Sequence, residues 1–101
     1  MNKVINGKKY DTETAKLIGS YRNGDYGDFF YIEEELYLKK TGEFFLYGSG
    51  GGMTKYREEW GKNRWSGSSH IFPYTIDEAK DWAMEHMSGD AYEEVFGPVE
   101  E

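Results

Sequence analysis

The sequence predicts an α+β domain: a small antiparallel sheet with two helices packed on it at the C-terminal end. Three observations carry this. Apolar residues alternate on either side of Lys40-Thr41-Gly42, which is the pattern of a hairpin. Thr75-Ile76-Asp77-Glu78 is a capping box opening an amphipathic stretch. The 101 residues include 18% aromatics alongside 31% charged side chains. A disordered acidic chain lacks such aromatic content, because it buries too little apolar surface to offset chain entropy. The length gives one domain, 1–101, too short for two independent cores. No internal repeat is present.

Taken in order, the elements follow a ββ-α-ββ(β)-α-α plan. Val4 to Tyr10 reads as a tight hairpin, with Asn6-Gly7 supplying the two positive-φ positions of a type I′ turn. Asp11-Thr12-Glu13-Thr14 predicts a helix running to about Ser20, with Ala15, Leu17, Ile18 and Tyr21 as its apolar face. Residues 22–28 read as a loop from their Gly, Asp and Asn content. The strands Phe30–Lys39 and Glu43–Tyr47 then carry large side chains on both faces, so this hairpin is central or covered on both sides. Glu33-Glu34-Glu35 is an awkward start to such a strand and predicts an edge or a solvent-facing stretch. A short helix or turn is expected near Thr54–Glu59, then loop, then a short strand His70–Phe72 ended by Pro73.

The long helix from Thr75 runs to about Met87. At 100° per residue, Ile76, Ala79, Trp82, Ala83, His86 and Met87 form its buried stripe. Gly89 is a C-cap candidate, Asp90-Ala91-Tyr92-Glu93 a second cap signature, and Gly97-Pro98 a stop.

Composition excludes several classes. No Cys means no disulfide framework, no thiolate ligand and no cysteine nucleophile. The first residues hold no apolar leader segment, and no apolar run approaches the ~20 residues of a membrane span. An intracellular protein without membrane contact is expected. The pI near 4.8 argues against direct nucleic-acid binding, which needs a basic face.

The net charge of −7 is unevenly placed. Residues 1–74 are nearly balanced at +1, whereas 75–101 hold nine acidic residues and one lysine, Lys80, a net of −8. Asp77, Asp81 and Glu85, with Glu78 beside them, stand about 6 Å apart along the helix, from the rise of ~1.5 Å per residue. That spacing resembles the phosphates of one nucleic-acid strand, and Glu93 and Glu94 extend the row. Two readings stay open. The row imitates nucleic acid toward a basic groove, or it is a solvated face that keeps the chain in solution. Like charges at i,i+4 disfavour the helix, and a row built for stability mixes signs.

A rival surface lies at Tyr47–Trp65. Lys55-Tyr56-Arg57, Trp60, Lys62 and Arg64-Trp65 interleave cations with aromatics, the residue types of protein-binding hot spots and of single-strand binders. Tyr56, Trp60 and Trp65 are its candidate contacts, and an exposed aromatic surface also suits a homodimer as well as a monomer. The Gly48–Gly52 stretch lacks the spacing of a phosphate-binding loop, and reads as a mobile loop or a close backbone approach. His70 and His86 have no second ligand at metal spacing, and no nucleophile motif surrounds Ser69-His70. No catalytic set, metal or cofactor is expected.

Several stretches together resemble a known family: Asn6–Ala15, Glu35–Leu46, Gly50–Tyr56, Glu78–Ala83 and Tyr92–Phe96. They resemble small acidic proteins carried by phages and integrative elements of Gram-positive bacteria, some of them anti-CRISPR proteins. The resemblance implies a non-catalytic inhibitor of host defence that acts by binding, in the cytoplasm of the bacterial host. Its partner would be a CRISPR effector nuclease or surveillance complex. The alternative from the residues is a mobile-element accessory protein docking a host protein through Tyr47–Trp65.

Overall fold

The computed structural model describes residues 1–61 and 64–101, and of residues 60, 61, 64 and 65 the backbone alone. The fold is α+β. Among the described residues eight strands are followed by two helices: β1 Asn2–Ile5, β2 Lys8–Asp11, β3 Lys16–Asn23, β4 Ile32–Leu38, β5 Phe44–Gly50, β6 Glu58–Gly61, β7 Arg64–Ser66, β8 Ser68–Tyr74, α1 Ile76–His86 and α2 Gly89–Phe96. The main sheet has the antiparallel order β3-β4-β5-β8, and β1-β2 and β6-β7 are separate two-stranded hairpins.

Local chemistry accounts for the turns. Asn6 and Gly7 take φ of 51° and 78°, as the first hairpin requires. Gly42 takes φ 92° in the β4–β5 turn, where its N–H donates to the Lys39 carbonyl at 2.9 Å.

Three expectations change. The helix expected from Asp11 is absent. Asp11 does cap, accepting the Glu13 N–H on its side chain at 2.9 Å and the Ala15 N–H on its carbonyl at 3.1 Å. The chain leaves after that one turn and becomes β3, paired along β4 with a bulge between Leu17 and Gly19. Packing decides the outcome here over local propensity, because Gly19 lies against Trp82 and Met87 and lets the sheet approach α1. Near Thr54–Glu59 the turn forms rather than the helix, and the loop expected after it is instead the paired strands β6 and β7. Finally, the Glu33–Glu35 stretch is no edge. It lies in β4, between β3 and β5.

The sheet is covered on both faces, as its large side chains on alternate positions require. On one face Leu36, Phe44 and Leu46 pack on Ala79 and Trp82 of α1, with Val95 and Phe96 of α2 alongside. On the other, Tyr37, Phe45 and Ile71 pack on Tyr10 of β2. Leu36, Phe45 and Leu46 are wholly buried, and each such side chain stabilises by about 1.5–3 kcal/mol relative to exposure.

Both helices begin as capped segments. Thr75 accepts the Glu78 N–H at 3.1 Å and the Glu78 carboxylate accepts the Thr75 N–H at 2.9 Å. α2 is capped two residues earlier than the Asp90 signature suggests. Ser88 is the cap, accepting the Ala91 N–H at 3.1 Å, and Gly89 is the first helical residue rather than the end of α1. Gly97, at φ 93°, ends α2. Ile76 departs from the expected stripe: it is 56% exposed, and the buried residues of α1 are Ala79, Trp82 and Ala83. The last strand is longer than expected, with Pro73 inside β8, an edge strand that tolerates the missing N–H.

Candidate binding site on the acidic helix

On the helical wheel Asp77, Asp81, Glu85 and Glu78 fill an arc of about 100°, and Trp82 borders that arc. The orientation of α1 therefore depends on where Trp82 is fixed. Its indole N–H donates to a carboxylate oxygen of Glu34 at 3.1 Å, across 48 residues of sequence. Glu34 is 3% exposed, in the middle of the sheet. Its other carboxylate oxygen accepts the Tyr56 hydroxyl at 2.5 Å and pairs with the Lys55 ammonium at 2.6 Å. Burial by itself pushes the pKa of Glu34 up, because it disfavours the charged carboxylate. The hydrogen bonds from Lys55, Tyr56 and Trp82 outweigh it, and the carboxyl is held below its usual range.

This network forms the floor of a groove of about 550 Å³ whose walls include Glu78, Asp81 and Glu85 of α1 and Tyr74 of β8. Burial, followed by the charges of Glu34, Glu78 and Glu85, pushes the Tyr74 phenol up to about 12. Among the described residues lining the groove, Lys55 is the one lysine or arginine, and its charge is engaged by Glu34. Lys80 lies off the acidic arc, with its ammonium 6.0 Å from the Phe96 ring. The wall carboxylates thus share a groove without a lysine or arginine of their own.

Each expected contact residue has a definite place. Glu78, Asp81 and Glu85 come together, with Glu78 also closing the capping box. Asp77 is exposed at the outer end of the arc. Glu94 is exposed on α2, while the half-buried Glu93 accepts the Val99 N–H at 3.0 Å and so ties down the tail. Tyr56 is not a surface contact. It is wholly buried, with its hydroxyl on Glu34 and its ring 5.7 Å from Phe72. Trp60 and Trp65 fall in β6 and β7, and their side chains lie outside the described residues.

Sequence reasoning placed Glu34 with Glu33 and Glu35 on an edge or solvent-facing stretch, and missed that it is buried. The signal lay in the strand's phase, since Glu34 shares parity with Leu36 and Leu38 and so points to their face. It also missed the exposed aromatics at 26–30. The glycine stretch is a close backbone approach: the Gly51 N–H donates to the Tyr31 carbonyl and the Met53 N–H to the Phe29 carbonyl, both at 2.8 Å. A side chain on Gly51 would run into the Asp28 and Phe29 carbonyls.

Among the described residues, no three His, Cys, Asp or Glu are grouped to hold a metal ion, and no helix is long and apolar enough to cross a membrane. No protein-family model matches the chain, nor does any curated protein or solved structure.

Proposed function

We propose that this protein is a stoichiometric inhibitor that lays the carboxylate face of α1 on a cationic, nucleic-acid-binding groove of a partner protein. A CRISPR effector in a bacterial host cytoplasm is the partner class that the sequence resemblance implies. One observation supports the reading above the rest. Glu78, Asp81 and Glu85 line a single groove whose lysine is engaged by a buried glutamate. A face selected only for solubility has no need of a buried scaffold that fixes its direction. Carboxylates held in a row supply electrostatic steering toward Lys and Arg and exclude phosphates from the same surface. Binding, with no turnover, is the mode of action.

The test titrates the wild-type chain and the double variant Asp81→Lys, Glu85→Lys into DNA-cleavage reactions of purified CRISPR effectors. Near-equimolar inhibition by wild type that duplex DNA relieves by competition, and its loss in the double variant, supports the reading. Undiminished inhibition by the double variant contradicts it, as does inhibition at far less than one equivalent.

A further inference from the structure

The loop between β3 and β4 exposes three aromatic side chains, Tyr26 at 87%, Phe29 at 72% and Phe30 at 69%. Scattered apolar residues on a surface need no explanation, but three within five positions of one loop form a patch. The loop is not loose. The Tyr31 and Phe29 carbonyls are clamped to Gly51 and Met53, and the Tyr26 ring meets the Tyr31 ring edge-on at 5.7 Å. Between this loop and the ends of β5 and β8 lies a preformed cleft of about 500 Å³. Tyr26, Asp28 and Phe29 line it together with Ser49, Gly51 and Ser69. Alternation puts Ser49 and its register partner Ser69 on the sheet face of Phe45 and Ile71, away from α1. The cleft is therefore distinct from the acidic groove.

Its charge and shape select an occupant. Asp25 and Asp28 stand in the loop with no basic residue between them, and Glu33, which accepts the Tyr31 hydroxyl, follows. Only Arg22 offsets these three along residues 22–33. Arg22, outside the cleft, shows that a lining ring accepts a cation, with its guanidinium 5.5 Å from the centre of the Tyr31 ring. We propose that this cleft takes up an arginine- or lysine-bearing extended segment of a protein partner. The cation stacks on Tyr26 and pairs with Asp28, and the Gly/Ser wall leaves room for the segment's backbone. The volume exceeds one side chain and suits a few residues of extended chain. The lining carboxylate of Asp28 opposes a phosphate-bearing ligand, since single-strand binding needs a cationic groove.

The site does not depend on the α1 reading, and its test keeps the two apart. A capped nine-residue peptide alternating Arg and Ser is titrated into ¹⁵N-labelled protein, against a citrulline-for-arginine control of equal shape and no charge. Both wild type and the Asp81→Lys, Glu85→Lys variant are used. The proposal expects the amides of Gly27, Gly51 and Ser69 to shift in both proteins, and affinity to fall about three- to tenfold with citrulline or on Tyr26→Ala. Tyr26 is exposed enough that its removal leaves the fold intact, which the unshifted remainder of the spectrum verifies. Equal binding of the citrulline peptide overturns the proposal. So does the loss of the cleft shifts in the double variant, or preferential binding of a thymidine oligonucleotide at the same amides.

Discussion

The two concave surfaces are built in opposite ways. The α1 groove is a set of charges held by a buried side-chain scaffold, in which Glu34 receives Trp82 from the helix and Lys55 and Tyr56 from the loop after β5. The cleft beside β5 and β8 is made largely by leaving side chains out, so that the backbones of residues 28–31 and 50–53 can touch. One surface thus fails when a donor is removed, the other when an atom is added.

The largest effect is expected from Trp82→Ala. It removes a buried indole and one donor to Glu34, and should lower unfolding stability by about 3–5 kcal/mol in urea melts. A loss below 1 kcal/mol would show that Trp82 is not the joint between α1 and the sheet. Gly51→Ala should cost about 1–3 kcal/mol through overpacking against two carbonyls, and should shift the amides of 28–31 while leaving those of α1 in place. Tyr56→Phe keeps the ring but leaves Glu34 one donor short, for an expected loss of about 1–3 kcal/mol. If Tyr56→Phe is neutral, the Glu34 network is not what orients the groove.

Acid should weaken the scaffold of the α1 groove. The carboxyl of Glu34 is depressed in the folded state, so its stabilisation is fully present above the unfolded value of about 4.3 and is lost as pH falls through the folded value. Glu43 follows the same sign. Hydrogen bonds from Lys8, Lys39 and Thr41 pull it to about 2, so its contribution is lost between about 4.3 and about 2. The Glu34→Gln variant should therefore show a shallower fall in melting temperature between pH 5 and pH 3 than wild type. An equal slope would remove Glu34 from the account. The smallest effect on folding belongs to the surface acids: Asp81→Lys should change stability by no more than about 0.5 kcal/mol, even though binding is expected to suffer.

What the sequence revealed depends on how local each cause is. The capping box at Thr75, the Asn6-Gly7 turn and the Gly97 stop are decided within four residues, and each is legible as such. The Asp11 signature was equally legible and did form its turn. Whether a helix continued was decided by β4 pairing with residues 16–23 and by Trp82 and Met87 closing on Gly19. The groove was half legible. The acidic arc follows from helical spacing, but its floor comes from Glu34, whose donors lie 22 and 48 residues away. Three consecutive glutamates look alike until alternation assigns Glu34 to the buried face. Tyr56 illustrates the converse, since its cationic neighbours suggested a surface while its hydroxyl is needed inside.

The central claim is that the carboxylates of α1, aimed by Glu34 and Trp82, form the surface that engages a cationic partner. It is tested most directly by the salt dependence of partner affinity for wild type and for Asp81→Lys, Glu85→Lys. Wild-type affinity should fall steeply as salt rises, and the double variant should bind far more weakly with a flattened dependence. Equal affinities with the same salt dependence in the two proteins would contradict the claim.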